Sequence, residues 1–300
     1  MFTRKILVII QRSNGDVFLS TSLIQQLKKN LEPDAIDLLV NEDTVDIAKT
    51  LPYIRKIHTF SYQKKKEKRW KQEKAIINKI YKQYDLSINL TASDRSVLYA
   101  LLASKKSISA IEKNRRKSWW KRLLLTYHYN FDSTKHILLN NLEPLNCLGI
   151  ESYDKQLSPI TNQAAIASIK SRLIKLNVHK FLIFHPSAQY NYKIYPQKLR
   201  NKLLDLLNQL NIQIIITGGN TEIDKEIKTV LPKYNNIIDW IGQTSIEEYI
   251  ALSELSQGYI GMDTLNMHIA ATQNKRVFAI FGPTNLTMWS PWSNKLELSA

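Results

Sequence analysis

Short apolar runs alternate with segments whose apolar residues recur every three or four positions over nearly the whole chain, the pattern of βα units built on parallel sheets. In the first half, Ile6–Ile10, Ile36–Val40, Lys56–Phe60, Asp85–Asn89 and Ser107–Ile111 are expected as strands. Leu19, Leu23 and Leu27 mark the apolar face of a first helix, and Trp70, Ile77, Ile80, Tyr81 and Tyr84 that of a later one. Residues 151–165 break the series, with Gly149 just upstream, Pro159 inside and no period, so two domains are expected at 1–155 and 156–300. The second series predicts strand Phe181–Phe184, helix 197–210, strand Ile212–Ile216, helix 221–230, strand Asn236–Asp239, helix 245–256, strand Gly258–Gly261, helix 265–273 and strand Arg276–Phe281.

With 300 residues, 44% hydrophobic and 23% charged, the chain has the composition of a folded globular protein. Its longest aliphatic stretches fall far short of the roughly 20 apolar residues of a spanning helix, so none is expected. Ile6–Ile10 behind Met1 and Lys5 imitates a signal peptide, but it is shorter than the roughly 7-residue minimum of such a core. The single cysteine, Cys147, can form neither an internal disulfide nor a thiolate metal cage, which points to a reducing compartment, by default the cytoplasm. Charge adds more. Of the net +16, residues 1–150 hold 27 Lys and Arg against 14 Asp and Glu, a surplus of 13, whereas residues 151–300 hold 15 against 12. Such a field attracts nucleic acid, an acidic leaflet or a phosphorylated substrate, and charge alone does not choose among them.

Five polar or glycine clusters directly follow expected strands: Arg12-Ser-Asn-Gly-Asp16, His185-Pro-Ser-Ala188, Thr217-Gly-Gly219, Gly261-Met-Asp-Thr264 and Phe281-Gly-Pro-Thr284. Ligands of parallel α/β sheets bind beyond the carboxyl ends of the strands, so one ligand shared across an interdomain cleft is expected. Asn14, Gly15 and Asp16 form a strand-to-helix turn in which Asp16 is either a helix cap or a general base. Lys193, in a loop rich in aromatics and prolines, is either a solvated lysine or the cation that stabilises a departing diphosphate, with Ser187 as a hydroxyl donor. Asp263 and Thr264 open a helix whose start would offer free N–H groups to a phosphate while Asp263 accepts from a sugar hydroxyl. Asn266 and His268 follow in that helix, His268 as a donor contact or a core or capping residue. Thr217, Gly218 and Gly219 permit close backbone approach, with Glu222 placed for a ribose hydroxyl pair or for the helix dipole. The basic runs 64–69 and 115–122, the latter with Arg115, Arg116, Lys117 and Lys121, interleave cations with Trp70, Trp119 and Trp120. They are either solvated helix faces or parts of a membrane–water interface.

Together these clusters resemble glycosyltransferase family 9, the heptosyltransferases of lipopolysaccharide core assembly. Gly15-Asp16 followed by Leu19, Thr21 and Leu23 is similar to the family's opening motif, whose Asp is the catalytic base. His185-Pro-Ser-Ala188 with Lys193 and Pro196 resembles its diphosphate-binding loop, and Thr217-Gly-Gly219 with Glu222 its nucleotide-ribose segment. Asp263-Thr264 with His268, then Phe281-Gly-Pro-Thr284, resembles its donor-binding signature. Leu265 stands where the family usually has Gly, Ser187 where it often has Gly, and Tyr195 where it often has Trp. Residues 39–44 and 84–91 look most like the heptosyltransferase III branch. The resemblance implies a GT-B fold, two Rossmann-like domains with parallel sheets facing a cleft, the second holding ADP-heptose and the first a lipid A-core acceptor, which Asn14, Gly15, Arg115, Arg116, Lys117 and Lys121 are expected to contact. It also implies a chain that continues past residue 300, a monomer, and a peripheral place on the inner face of the cytoplasmic membrane.

The chemistry expected is an inverting transfer in which Asp16 deprotonates the acceptor hydroxyl while Lys193 and the helix at Thr264 stabilise departing ADP. No cofactor and no metal is expected, because the sequence has no Asp-x-Asp pair to hold a metal on the diphosphate. Two other readings stand beside it: the same fold with another nucleotide-sugar, and a non-enzymatic RNA- or membrane-binding module. The last does not explain five polar clusters at strand ends, so no nucleic acid partner is expected.

Overall fold

The computed structural model describes residues 4–292 except 152, 156 and 158, and not the side chain of Arg115. The chain divides into two units, Met1–Leu157 and Ser158–Ala300. The first contains strands β1 (Lys5–Ile10), β2 (Ala35–Asn41), β3 (Ile54–Phe60), β4 (Leu86–Asn89), β5 (Lys106–Ile111) and β6 (Tyr127–Asn130). Its helices are α1 (Asn14–Leu19), α2 (Thr21–Leu31), α3 (Val45–Lys49), α4 (Tyr62–Ile80), α5 (Asp94–Ala103), α6 (Arg115–Leu124) and α7 (Ile137–Cys147). The second contains β7 (Phe181–His185), β8 (Gln213–Gly218), β9 (Ile237–Ile241), β10 (Gly258–Met262) and β11 (Arg276–Ile280). Its helices are α8 (Gln163–Lys175), α9 (Gln197–Asn208), α10 (Glu222–Thr229), α11 (Ile246–Leu255), α12 (Leu265–Thr272) and α13 (Leu286–Trp289).

Both sheets are parallel, ordered β3-β2-β1-β4-β5-β6 and β9-β8-β7-β10-β11. They share one plan: the chain builds outward from its first strand, then returns to that strand's other side. The central strands are apolar without alternation, as strands covered on both faces must be; β1 pairs Ile6 with Ile36 and Val8 with Leu38, all buried. A buried carboxylate inside this layer, Asp37, is satisfied by Arg55 through Nε (2.9 Å) and Nη2 (2.6 Å) and by the Tyr84 hydroxyl at 2.8 Å.

Every strand expected from the sequence is present to within two residues at either end. The edge strand β6 was not anticipated, since Tyr-His-Tyr-Asn carries no aliphatic pattern. The single helix read from Leu19, Leu23 and Leu27 is two, separated at Ser20, whose hydroxyl donates to the Val17 carbonyl at 2.6 Å; all three leucines are buried nonetheless. The apolar face of α4 is narrower than its periodicity implies: Ile76 and Ile80 are buried, while Trp70 is 80% and Tyr81 46% exposed.

Lys121 requires a larger correction. Expected on a basic acceptor-facing surface, it points inward from α6 and is fully buried. Its ammonium donates to the Ala92 carbonyl (2.8 Å) and to Glu112 (2.8 and 3.0 Å), and pairs with Asp94 at 2.7 Å. One cation thereby ties the loops after β4 and β5 to α6, because a buried ammonium without partners would cost several kcal/mol. Lys121→Ala leaves Glu112 and Asp94 unpaired but partly in water, their side chains being 38% and 71% exposed. The expected loss is about 1–3 kcal/mol in urea denaturation, with Lys121→Met recovering part of it by refilling the volume; a loss within error for Lys121→Ala contradicts the tethering role.

Candidate active site

In each sheet the strand order reverses at one place, between β1 and β4 and between β7 and β10. Helices leave in opposite directions there and open space beyond the strand ends. The candidate residues gather at those edges.

In the first unit, Ser13 caps α1 and Asp16 is its third residue. Asp16 Oδ2 accepts from the Ser13 hydroxyl (2.6 Å) and the Ser13 N–H (3.2 Å), and Oδ1 lies 2.9 Å from Arg12 Nε. The Arg12 guanidinium in turn sits 5.0 Å from the centre of the Phe131 ring. Asp16 is 4% exposed, and burial pushes its pKa above the ordinary aspartate value despite the lowering influence of Arg12 and Ser13. It is therefore both a cap and a carboxylate of raised basicity. Asn14 is exposed and Gly15 half-buried beside it. The loop after β4 is pinned to this turn by the Gln11 N–H donating to Thr91 Oγ1 at 3.0 Å. Arg95, at the start of α5, lies 3.7 Å above the Phe60 ring, 3.3 Å from the Tyr62 hydroxyl and 3.5 Å from Gln11 Oε1. No sequence motif marked it.

In the second unit, four of the sequence clusters meet. His185 ends β7, with Nδ1 3.0 Å from Thr217 Oγ1 and 2.8 Å from the Asn266 amide on α12. Burial depresses its pKa to about 4, so the ring is neutral near pH 7. The strands close tightly here: a Cβ on Gly261 would stand 2.4 Å from the His185 carbonyl oxygen, which only glycine avoids. Lys193, with a side chain 23% exposed, pairs with buried Asp263 at 3.2 Å. The loop after β11 lies against it, since a Cβ on Gly282 would be 3.4 Å from Lys193 Cα. Thr264 precedes α12 in an extended conformation and its side chain does not cap the helix. The first N–H groups of α12, from Leu265 and Asn266 onward, thus begin beside an ammonium, an arrangement suited to an anion. His268 is buried within α12.

Glu222 extends from α10 with its side chain 89% exposed, paired with Lys225 at 2.8 Å. The buried carboxylate of this edge is Asp224, which sequence reading passed over although Thr221-Glu-Ile-Asp224 spells a capping box. It accepts from the Thr221 hydroxyl (2.5 Å) and N–H (2.9 Å). Burial raises its pKa, but hydrogen bonds from Ser187, Thr221 and the Gly219 N–H together hold it below the ordinary value. Ser187, Gly218 and Gly219 are thus gathered around one anchored carboxylate, while Thr217 is held by His185. Arg116 and Lys117 are exposed on α6, and the Arg115 side chain lies outside the described residues. Among the described residues no group of three His, Cys, Asp or Glu could hold a metal ion, and no helix is long and apolar enough to cross a membrane.

Known proteins resemble this chain in sequence and in fold. The family model for glycosyltransferase family 9 (heptosyltransferase) matches residues 69–299. The chain is 26% identical over 297 residues to lipopolysaccharide heptosyltransferase 3 of Escherichia coli, covering 95% of this chain and 85% of that one. It is 23% identical to lipooligosaccharide heptosyltransferase 2 of Haemophilus ducreyi, covering 97% and 87%. Among solved structures, a glycosyl transferase family 9 protein from Veillonella parvula superposes with a TM-score of 0.81 at 17% identity, covering 97% of this chain and 85% of that one. The E. coli ADP-heptose heptosyltransferase II gives 0.74 at 19%, covering 97% and 88%. With both sheets built on one plan and the family model spanning more than three-quarters of its length, the chain belongs to glycosyltransferase family 9, the heptosyltransferases, and is a glycosyltransferase of the GT-B fold.

Proposed function

We propose that this chain transfers a heptose from ADP-heptose to the inner core of lipopolysaccharide or lipooligosaccharide, by a single inverting displacement that uses no metal. The observation that carries the chemistry is Asp16, a buried carboxylate of raised pKa at the sheet edge where the first unit's strand order reverses. The relatives named above support the sugar and the acceptor. Asp16 takes the proton of the acceptor hydroxyl as its oxygen forms a bond to the anomeric carbon. The bond from that carbon to the diphosphate oxygen breaks, and the electron pair leaves with ADP. Charge then grows on the diphosphate, where Lys193 and the first N–H groups of α12 oppose it. Lys193 exchanges Asp263 for a phosphate oxygen, which frees Asp263 to accept from a sugar hydroxyl. Ser187, Thr217, Gly218, Gly219 and Glu222 line the nucleotide. Asn14 and Gly15 flank the acceptor hydroxyl, while Arg116 and Lys117 attract the acidic core of an acceptor anchored in the inner leaflet, so the protein works as a peripheral enzyme on the cytoplasmic face.

Turnover of ADP-heptose with defined core acceptors tests this directly. Asp16→Asn is expected to lower kcat by roughly 10²–10⁴ with ADP affinity in calorimetry nearly unchanged; turnover within a few-fold of wild type makes Asp16 a helix cap alone. Because the base acts ionised, kcat/KM is lost as pH falls through the Asp16 pKa. The Ser13 hydroxyl lowers that pKa, so Ser13→Ala is expected to move the acid limb to higher pH; an unmoved limb assigns it to another group.

Lys193→Ala is expected to weaken ADP binding and slow turnover together, since the ammonium acts on a charge that grows toward the transition state. Unchanged ADP affinity with unchanged turnover returns Lys193 to the role of partner to Asp263.

A further inference from the structure

Helix α6 is turned inside out. Its lysine, Lys121, is fully buried, whereas Trp119 is 65%, Leu123 75% and Leu124 57% exposed, and Tyr127 just beyond the helix is 42% exposed. The inversion is fixed from within: the helix cannot roll its leucines inward without pulling the ammonium from Ala92, Glu112 and Asp94, and Ser118 on the same side is buried with it. From α6, Trp120 reaches the small core of Val97, Ile111 and Leu125, beside Leu101 of α5. Clustered large apolar side chains on a charged surface mark a contact site.

The charge around them identifies the occupant. Residues 101–130 hold eight Lys and Arg and a single acidic residue, Glu112, which Lys121 engages together with Asp94 from the start of α5. Arg116, Lys117, Lys105 and Lys106 are exposed, and Lys106 Nζ lies 5.9 Å from the Tyr127 ring centre. Indole and aliphatic groups entering the acyl boundary, ringed by cations at headgroup depth, match an anionic bilayer surface. A protein partner is a poorer fit, because a patch this strongly of one sign demands an equally acidic counterpart.

We propose that α6 is a membrane-docking helix, with Trp119, Leu123 and Leu124 entering the headgroup–acyl boundary of an anionic leaflet and Lys105 and Lys106 pairing with its phosphates, beside the Arg116 and Lys117 assigned above to the acceptor. The inference deepens the peripheral role proposed above, and it explains how the enzyme meets a lipid-anchored acceptor. α6 begins after β5, at the sheet edge that carries Asp16 after β1, so docking keeps the base close to the bilayer.

The test is co-sedimentation of the whole chain with vesicles of phosphatidylethanolamine and phosphatidylglycerol, without donor or acceptor, so that it stands apart from the transfer reaction. Wild type is expected to bind these vesicles and not phosphatidylcholine vesicles, with binding weakened by salt. Trp119→Ser/Leu123→Ser/Leu124→Ser is expected to lose about tenfold or more of that binding, with unchanged thermal melting and unchanged turnover on a delipidated acceptor. As a positional check, Cys147→Ser leaves the chain without cysteine. An environment-sensitive dye on Leu123→Cys in that background is then expected to shift to the blue on anionic vesicles, while one on Ile174→Cys, 74% exposed in the second unit, does not. Equal vesicle binding by wild type and the triple variant, or an unshifted dye at position 123, overturns the proposal. So does a wild-type dimer in sedimentation that the triple variant abolishes, which gives the patch to a second copy of the chain. Loss of turnover on the delipidated acceptor with vesicle binding intact counts against α6 as a docking helix and leaves the transferase reading standing.

Discussion

A parallel sheet constrains everything built on it: each strand must be re-entered from the same end, so all the carboxyl ends, and the loops that follow them, collect on one edge. Both sheets here obey it with the same order, outward from the first strand and then back to its other side. The reversal leaves a gap that no connection crosses. Asp16 and the loop after β4 stand at one such gap, and His185, Lys193, Asp263 and the start of α12 at the other. The chemistry of this protein is a use of space that the topology leaves open.

Within that frame one local device serves two ends. Ser13 with Asp16, and Thr221 with Asp224, are the same capping box, a hydroxyl residue followed three positions later by a carboxylate. Their electrostatics diverge because Asp16 lies in the drier surroundings. Burial there outweighs the Arg12 guanidinium and the hydrogen bonds from Ser13 and from its own N–H, and its pKa rises. Asp224 draws on Ser187, Thr221 and the Gly219 N–H, and its pKa falls. The first is disposed to take a proton. The second stays charged and fixes the two loops that surround it.

The fold was legible in the sequence because parallel strands covered on both faces must be apolar throughout, and such runs are visible without any partner. What escaped was what lacks that signal: β6, a polar edge strand, and α8, which begins inside the stretch read as a boundary. The candidate site was legible where tight backbone packing needs glycine, as at Gly261, or a carboxylate follows a strand end, as at Asp16. It stayed ambiguous where one residue type serves either role. Glu222 and Asp224 lie two positions apart at one helix start, and burial rather than sequence separates the exposed carboxylate from the anchored one. Arg95 carried no signal, since its place between Phe60 and Gln11 depends on three strands meeting.

Lys121 shows the same limit most sharply. In a run of cations and tryptophans each charge reads as solvated, yet once the loops after β4 and β5 each present acceptors to the inner side of α6, an ammonium there satisfies them better than an apolar group would. Burying it fixes the rotation of the helix. A ten-residue helix has few positions per face, so a polar inner side forces Trp119, Leu123 and Leu124 outward. The exposed apolar surface is therefore a consequence of an internal ion pair. It persists because turning it inward would pull the ammonium away from the Ala92 carbonyl, Glu112 and Asp94 together.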